Sequence, residues 1–214
     1  MGKLHFTDDE QVSEGALFKE QLGQTWMVVP RNVRERFDHD PAPGRIVSYE
    51  GVMTQVTCTP LGKALGWLMQ HTGALMPHEG KDVPVQIEVW TDTKTQAVYK
   101  RRTYRFADRA PFVFRSRMER QADGRLAEHV GGGFGMYVLV SADRRGLRFD
   151  EGGYFFKLFG IQVPVPRLLG PGKVALMHAD VSANEFDITI DIAHPWFGPL
   201  FSQMGRFRHA SSDA

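Results

Sequence analysis

The chain has 214 residues, enough for one large domain with a sizeable core, and its 42% hydrophobic and 24% charged content lies in the globular range. Lys+Arg of 26 against Asp+Glu of 25 leaves a net charge of +1, which argues against a protein whose main task is to coat nucleic acid or an anionic membrane. A single cysteine, Cys58, excludes an intramolecular disulfide and a cysteine metal cluster.

The opening MGKLHFTDDE has no apolar h-region, and Phe6 stands where a myristoylation signal wants Ser or Thr. No apolar run approaches the ~18–20 residues of a membrane span. A cytoplasmic protein without a transmembrane segment is expected.

Helical signals gather in the first third. Ser13 suits the N-cap of a short helix over Glu14 to Leu22, and Pro30 opens a second, PRNVRERFDHD, which ends before Pro41, Pro43 and Gly44. In the third helix Thr59 is the N-cap and Pro60 the first helical residue. Leu61, Leu65, Leu68 and Met69 form one apolar stripe fit for core packing, and Gly73 is the expected stop.

From Arg45 onward the period is two. RIVSYEGVMTQVT reads as a long strand before the third helix. After that helix come DVPVQIEVWTD, AVYKRRTYRF, PFVFRSRMERQ, RLAEHV, FGMYVLVSA, GLRFD, YFFKLFGIQVPV, VALMHADVS and EFDITIDIA. Turn residues join them at Asp92–Lys94, Asp108–Pro111, Asp123–Gly124, Asp143–Gly146 and Ser182–Glu185. The expectation is a mainly β (α+β) single domain over residues 1–214, with its core in 14–207. It is a curled antiparallel meander of about eight to ten strands, a lipocalin-like barrel or helix-grip-like sheet with two or three short N-terminal helices. Strands such as Phe134–Ala142 and Tyr154–Val165 are apolar on both faces, as where one face meets core and the other lines a cavity or a second layer. HPWFGPLFSQMGRF, His194 to Phe207, is an aromatic, proline-rich segment that closes over the sheet end, or forms a lid or docking patch through Trp196 and Phe197.

Two hairpins can be given a register. A two-residue turn at Ala183–Asn184 pairs Asp180 with Asp187 and His178 with Thr189. One face then carries His178, Asp180, Asp187, Thr189 and Asp191, and the other is apolar. Turning the earlier hairpin at Asp108–Arg109, with Phe106 opposite Phe112, collects Arg101, Arg105, Arg115 and Arg117 on one face beside Tyr99, Thr103 and Glu119. Four guanidiniums on one face repel unless something anionic sits among them, either a ligand or the acidic hairpin face.

Motifs that would name a chemistry fall away. GGGFG is followed by the β-patterned MYVLVSA, so no helix N-terminus awaits a pyrophosphate, and no Lys-Ser/Thr follows. No Gly-x-Ser-x-Gly elbow accompanies it, so it reads as a bulge or sharp bend between His129 and Phe134. The eight histidines, His5, His39, His71, His78, His129, His178, His194 and His209, contain no His-x-His pair and no His-Glu-x-x-His helix, so neither a metal site nor a cofactor is expected. His178 with Asp180 and Asp187 is the best acid–base candidate, because a carboxylate can orient an imidazole.

GRIVSYEGVMTQVT, PLGKALGWLMQHTGAL, GKDVPVQIEV, the run Tyr99 to Arg105, FVFRSRM and FGIQVPVPRLLGPG follow one another in an order that resembles a bacterial domain-of-unknown-function family, the one numbered forty-one sixty-six. The likeness runs from about Leu17 to Phe207, with DVPVQIEV and GIQVPVPRLLGP its most specific pieces. Glu128 matches a Glu that commonly precedes the bent strand, Tyr99 stands where a tryptophan is usual, and the triple glycine is richer than the pattern. The resemblance implies a single domain, alone or appended to saccharopine-dehydrogenase-like reductases, and carries no activity.

The expected function is non-catalytic binding of a hydrophobic or lipid-like small molecule in a β-sheet cavity, with no nucleic acid as partner. Arg101, Arg105, Arg115, Arg117, Tyr99, Trp196 and Phe197 are its candidate ligand-binding residues. The alternatives are an enzyme using His178 with Asp180 or Asp187, and a protein-interaction module docking through Trp196 and Phe197.

Overall fold

Two of the three helices among the described residues begin at a side-chain cap. In the computed structural model, which describes residues 13–38, 41–42, 44–69, 75–92, 97–121, 123–159 and 161–210, the Ser13 hydroxyl accepts from the Ala16 N–H at 3.1 Å and starts α1 (Glu14–Leu22). A 3₁₀ turn (Gly23–Val28) leads to α2 (Arg31–Phe37), for which Pro30 stands just outside the first turn instead of within it. Thr59 accepts from the Gly62 N–H at 3.1 Å and Pro60 opens α3 (Pro60–Leu68). His5, His39, His71, the stop at Gly73, the turn residue Lys94 and the chain end after Ala210 lie outside the described residues.

The stripe on α3 behaves otherwise than expected. Leu65 packs on the core, but Leu61 and Leu68 are exposed, as is Trp67. The helix meets the sheet through glycines: a Cβ on Gly62 would stand 2.3 Å from the Leu200 carbonyl oxygen, and one on Gly66 would stand 3.0 Å from Pro77. Backbone contact this close leaves no room for the leucines to turn inward.

Among the described residues eleven strands form one antiparallel sheet. They are β1 (Ile46–Cys58), β2 (Gly80–Thr91), β3 (Val98–Tyr104), β4 (Phe112–Arg120), β5 (Leu126–His129), β6 (Phe134–Asp143), β7 (Gly146–Leu158), β8 (Ile161–Val165), β9 (Lys173–Asp180), β10 (Glu185–His194) and β11 (Gly198–His209). Pairing of β1 with β11, and of β6 with β7, closes ten of them into a barrel. Closure gives every strand of the ring a neighbour on both sides over part of its length, the usual answer to unpaired N–H and C=O groups.

Two segments differ from the expected strands. GLRFD and the first half of YFFKLFGIQVPV are one strand, β7, which reverses at Phe159 (φ 48°) into the short β8. The lower half of β7 pairs with β9 (Gly146 opposite Ala179), whereas its upper half pairs with β8 (Tyr154 opposite Val165). The C-terminal GPLFSQMGRFRH is the closing strand β11, with Phe201, Gln203 and Phe207 buried. Its inward Gln203 interrupts the apolar alternation that would have marked it as a strand.

The glycine run is a turn that reverses the chain between β5 and β6. Gly131–Gly133 make a single 3₁₀ turn, with Gly132 at φ 64° and Gly133 at φ 82°, and the Val130 N–H donates to the Phe134 carbonyl at 3.0 Å. A Cβ on Gly133 would come within 2.6 Å of the Lys157 carbonyl oxygen.

The barrel has two ends. The first is closed by α1, the 3₁₀ turn and α2, whose Leu17, Phe18, Trp26, Val29 and Val33 pack with Met118, Leu126, Val138, Leu147 and Phe149 of the wall. Phe18 meets Phe37 and Phe149 edge to face at 5.4 and 5.3 Å. The other end carries α3, the β7–β8 hairpin, the loop before β9 and the β10–β11 turn.

Candidate ligand cavity in the barrel

Alternation along each strand decides what faces inward. On β3, Lys100, Arg102 and Tyr104 line the interior; on β4, Phe112 and Phe114 do. The barrel encloses two adjoining chambers, about 130 Å³ toward the α3 end and about 160 Å³ toward the helical plug. A dry cavity of ~150 Å³ lined by aliphatic and aromatic groups holds a benzene-sized molecule. Phe112, Phe134, Tyr154 and Phe201 line the upper chamber, and Tyr49, Met53, Ile87 and Phe186 the lower.

Between the chambers runs a polar girdle shared by both: Arg102, Tyr104, Glu128 and Gln203. Arg102 donates to the Ser116 hydroxyl at 3.1 Å, lies 4.0 Å from a Glu128 oxygen, and stands over the Phe114 ring at 5.4 Å. The Gln203 amide donates to the Tyr104 hydroxyl at 3.2 Å, while its carbonyl oxygen is buried without a partner among the described residues. Burial holds the Tyr104 hydroxyl above its ordinary pKa, so it remains a neutral donor and acceptor.

A second polar group sits on the plug. Lys100 bridges to Glu14 of α1 at 2.6 Å. Arg36 of α2 pairs with Asp180 at 3.0 Å, reaches the Ser182 and Glu185 carbonyls, and lies over the Phe186 ring at 4.8 Å. Asn32 donates to the second Asp180 oxygen at 3.2 Å. Burial lowers the pKa of Arg36 against the pull of Asp180.

His178 does not form the expected constellation. Ile188, not Thr189, stands opposite it, and Ala179 stands opposite Asp187. Val181 to Glu185 make the connection, held by the Ser182 hydroxyl, which accepts from the Asn184 and Glu185 N–H groups at 3.3 and 3.2 Å. This longer turn slips the register by one residue, which flips β9. His178 and Asp180 therefore face inward, while Asp187 faces outward and pairs with Arg206 at 2.8 Å. His178 stacks on Phe186 at 4.5 Å and meets Phe37 edge-on at 5.1 Å. Burial, then the neighbouring Arg36, push its pKa down to about 3, and its Nδ1 has no hydrogen-bond partner among the described residues. This imidazole is neutral and has no carboxylate to orient it.

The four arginines do share a face, the outer one. Tyr104, not Phe106, stands opposite Phe112, a shift of two residues that preserves the faces. Arg101 makes two 2.6 Å bonds to Glu88, and Arg105 donates to Gln86 at 2.9 Å. Arg117 lies 3.5 Å from the Tyr99 hydroxyl and 3.3 Å from Glu119, and Arg115 is exposed. Tyr99 stacks on Trp90 at 5.6 Å. Trp196 and Phe197 form the exposed β10–β11 turn, fixed by Phe197 stacking on His194 at 4.6 Å. Neither these two nor the outer arginines reach the chambers. The cations that do, Lys100 and Arg102, were legible only by parity: with Val98 and Tyr104 inward, the two residues spaced between them follow.

Outside the barrel, His129 bonds Glu119 at 2.7 Å, and Gln121 donates to the same carboxylate at 3.0 Å. The His129 bond, with Gln121 and Arg117, holds the Glu119 carboxyl down at about 2. Gln162 of β8 crosses above this group, bonding Tyr137 at 3.1 Å and Gln121 at 2.6 Å. The network fastens the β7–β8 hairpin over the wall.

A family model described as domain of unknown function, DUF4166, matches residues 29–207. No curated protein and no solved structure matches the chain.

Proposed function

Since the chain belongs to the DUF4166 family of domains of unknown function, and its barrel is of a kind consistent with ligand binding, we propose that it binds a hydrophobic, lipid-like small molecule inside that barrel. The observation that carries this reading is the Gln203 carbonyl, buried without a partner at the junction of two apolar chambers. A buried acceptor left unbonded costs about 1–3 kcal/mol, and a ligand hydroxyl or N–H at the girdle recovers it. Arg102 and Glu128 offset one another in charge, so a neutral or zwitterionic polar group fits better there than a free anion. Apolar walls on both sides accept the hydrocarbon.

Substituting Leu176, which lines both chambers, tests the reading. Leu176→Trp is expected to lower affinity for an apolar fluorescent probe such as N-phenyl-1-naphthylamine at least tenfold, with the circular dichroism spectrum unchanged. Native mass spectrometry of the unsubstituted protein is expected to show a co-purified molecule that the variant lacks. Equal probe binding by a folded variant excludes the interior as the site.

A further inference from the structure

We propose that the α3 end of the barrel is a membrane-docking face that rests in the headgroup region of an anionic lipid bilayer. The face stands on exposure, not on the interior ligand. Trp67 and Leu68 at the end of α3, Phe159 at the β7–β8 tip, Leu169 in the loop before β9, and Trp196 with Phe197 in the β10–β11 turn all project at this end. Phe159 is 94% exposed and Leu169 76%. Side chains this large and apolar, gathered from one helix end and three turns or loops, mark an interaction surface. Two tryptophans among them suit the membrane–water boundary, where an indole keeps its ring in the acyl region and its N–H in the headgroups.

Charge chooses the partner. From Gly152 to Ala179 the chain has no Asp or Glu, yet it carries Lys157, Arg167 and Lys173, all exposed and without an ion-pair partner among the described residues. On the outer wall Arg101 is matched by Glu88, Arg148 by Asp150, Arg206 by Asp187 and Arg208 by Glu50, while Arg105 and Arg115 have no ion-pair partner among the described residues. Lys63 and Arg109, which share this end, are also matched, by Glu79 and Asp108. Three unmatched cations ringing an apolar, aromatic surface complement anionic headgroups over hydrocarbon. The segments are tied into one unit. His194 Nε2 lies 3.3 Å from the Leu168 carbonyl, the Thr59 N–H donates to the Leu200 carbonyl at 3.0 Å, and Gly133 abuts Lys157. The upper chamber reaches the same end through Leu75, Met76 and Pro171, so a bilayer there would meet the barrel where its interior comes nearest the outside.

Vesicle flotation with the full chain tests the proposal, using phosphatidylcholine vesicles with and without phosphatidylglycerol. The protein is expected to float with the phosphatidylglycerol vesicles, less so as salt rises. Arg167→Gln and Lys173→Gln are each expected to weaken partitioning about fivefold. Trp196→Ser with Phe197→Ser is expected to weaken it at least tenfold, with the melting temperature held. Leu176→Trp, which fills the cavity, is expected to float like the unsubstituted chain, so failure of interior binding and failure of docking are read separately. Absence of flotation at low salt overturns the proposal, as does flotation indifferent to these substitutions. So does a shift from dimer to monomer on size exclusion when Trp196 and Phe197 are replaced, which would assign the face to a second copy of the chain.

Discussion

His178 occupies an aromatic slot between Phe37 and Phe186, and that position sets its titration. Its ordinary pKa is 6.5 and the fold pushes it to about 3, so the unfolded chain takes up a proton that the folded one refuses. Stability attached to this group is therefore complete above pH 6.5 and declines as pH falls from there toward 3. Urea unfolding of His178→Phe is expected to show a flatter acid limb over that window, and no loss at pH 7, because the substitution also removes the unpartnered Nδ1. Glu119 acts lower on the scale. Its carboxyl falls from 4.5 to about 2, so its share of stability is present above 4.5 and is lost as pH drops through 2. Gln203 offers a different separation. Gln203→Leu is expected to leave the ligand-free protein within ~1 kcal/mol of its original stability while weakening binding of the co-purified molecule about threefold to tenfold, measured by titration calorimetry. None of these environments could be read from residue types alone. That His178 and Gln203 face inward depends on which strands lie across the barrel, up to 99 residues away for the Gln203–Tyr104 bond.

At the scale of elements, legibility followed the range of the cause. The starts of α1 and α3 were readable because Ser13 and Thr59 act on N–H groups three residues away. The faces of β3 and β4 were readable because an even slip keeps parity. The faces of β9 were not, because the number of residues in the connection to β10 depends on how the Ser182 hydroxyl folds the turn. The strand β11 was hidden by a polar residue turned inward. The glycine turn shows how local chemistry and packing combine at one site. Gly133 is held at φ 82°, where a Cβ would come within 2.6 Å of the Lys157 carbonyl oxygen, and Gly132 is held at φ 64°. Gly133→Ala is expected to destabilise by ~2–4 kcal/mol and Gly132→Ala by ~1 kcal/mol, read as two unequal drops in melting temperature.

At the scale of the molecule, closure joins distant parts of the chain: Tyr49 of β1 stands opposite His209 of β11. Contacts this far apart in sequence form late and slowly. Deleting residues 198–214 uncovers an edge on β1 and another on β10, each of ten or more residues. The shortened chain is expected to elute in the void volume on size exclusion where the full chain elutes as a discrete species, since long bare edges pair between molecules.

The wall itself is not of one kind all the way round. Where β7 exchanges β9 for β8, between Asp150 and Tyr154, the backbone ladder is replaced by a ring against a loop: Tyr154 lies against Gly170 and its hydroxyl donates to the Gly172 carbonyl. A second gap lies beside β4, whose Phe112–Ser116 run past the end of the four-residue β5; the other strand pairs of the ring carry backbone ladders. Along the β7 seam the wall is sealed chiefly by contact, and contact is what an apolar molecule can replace with itself.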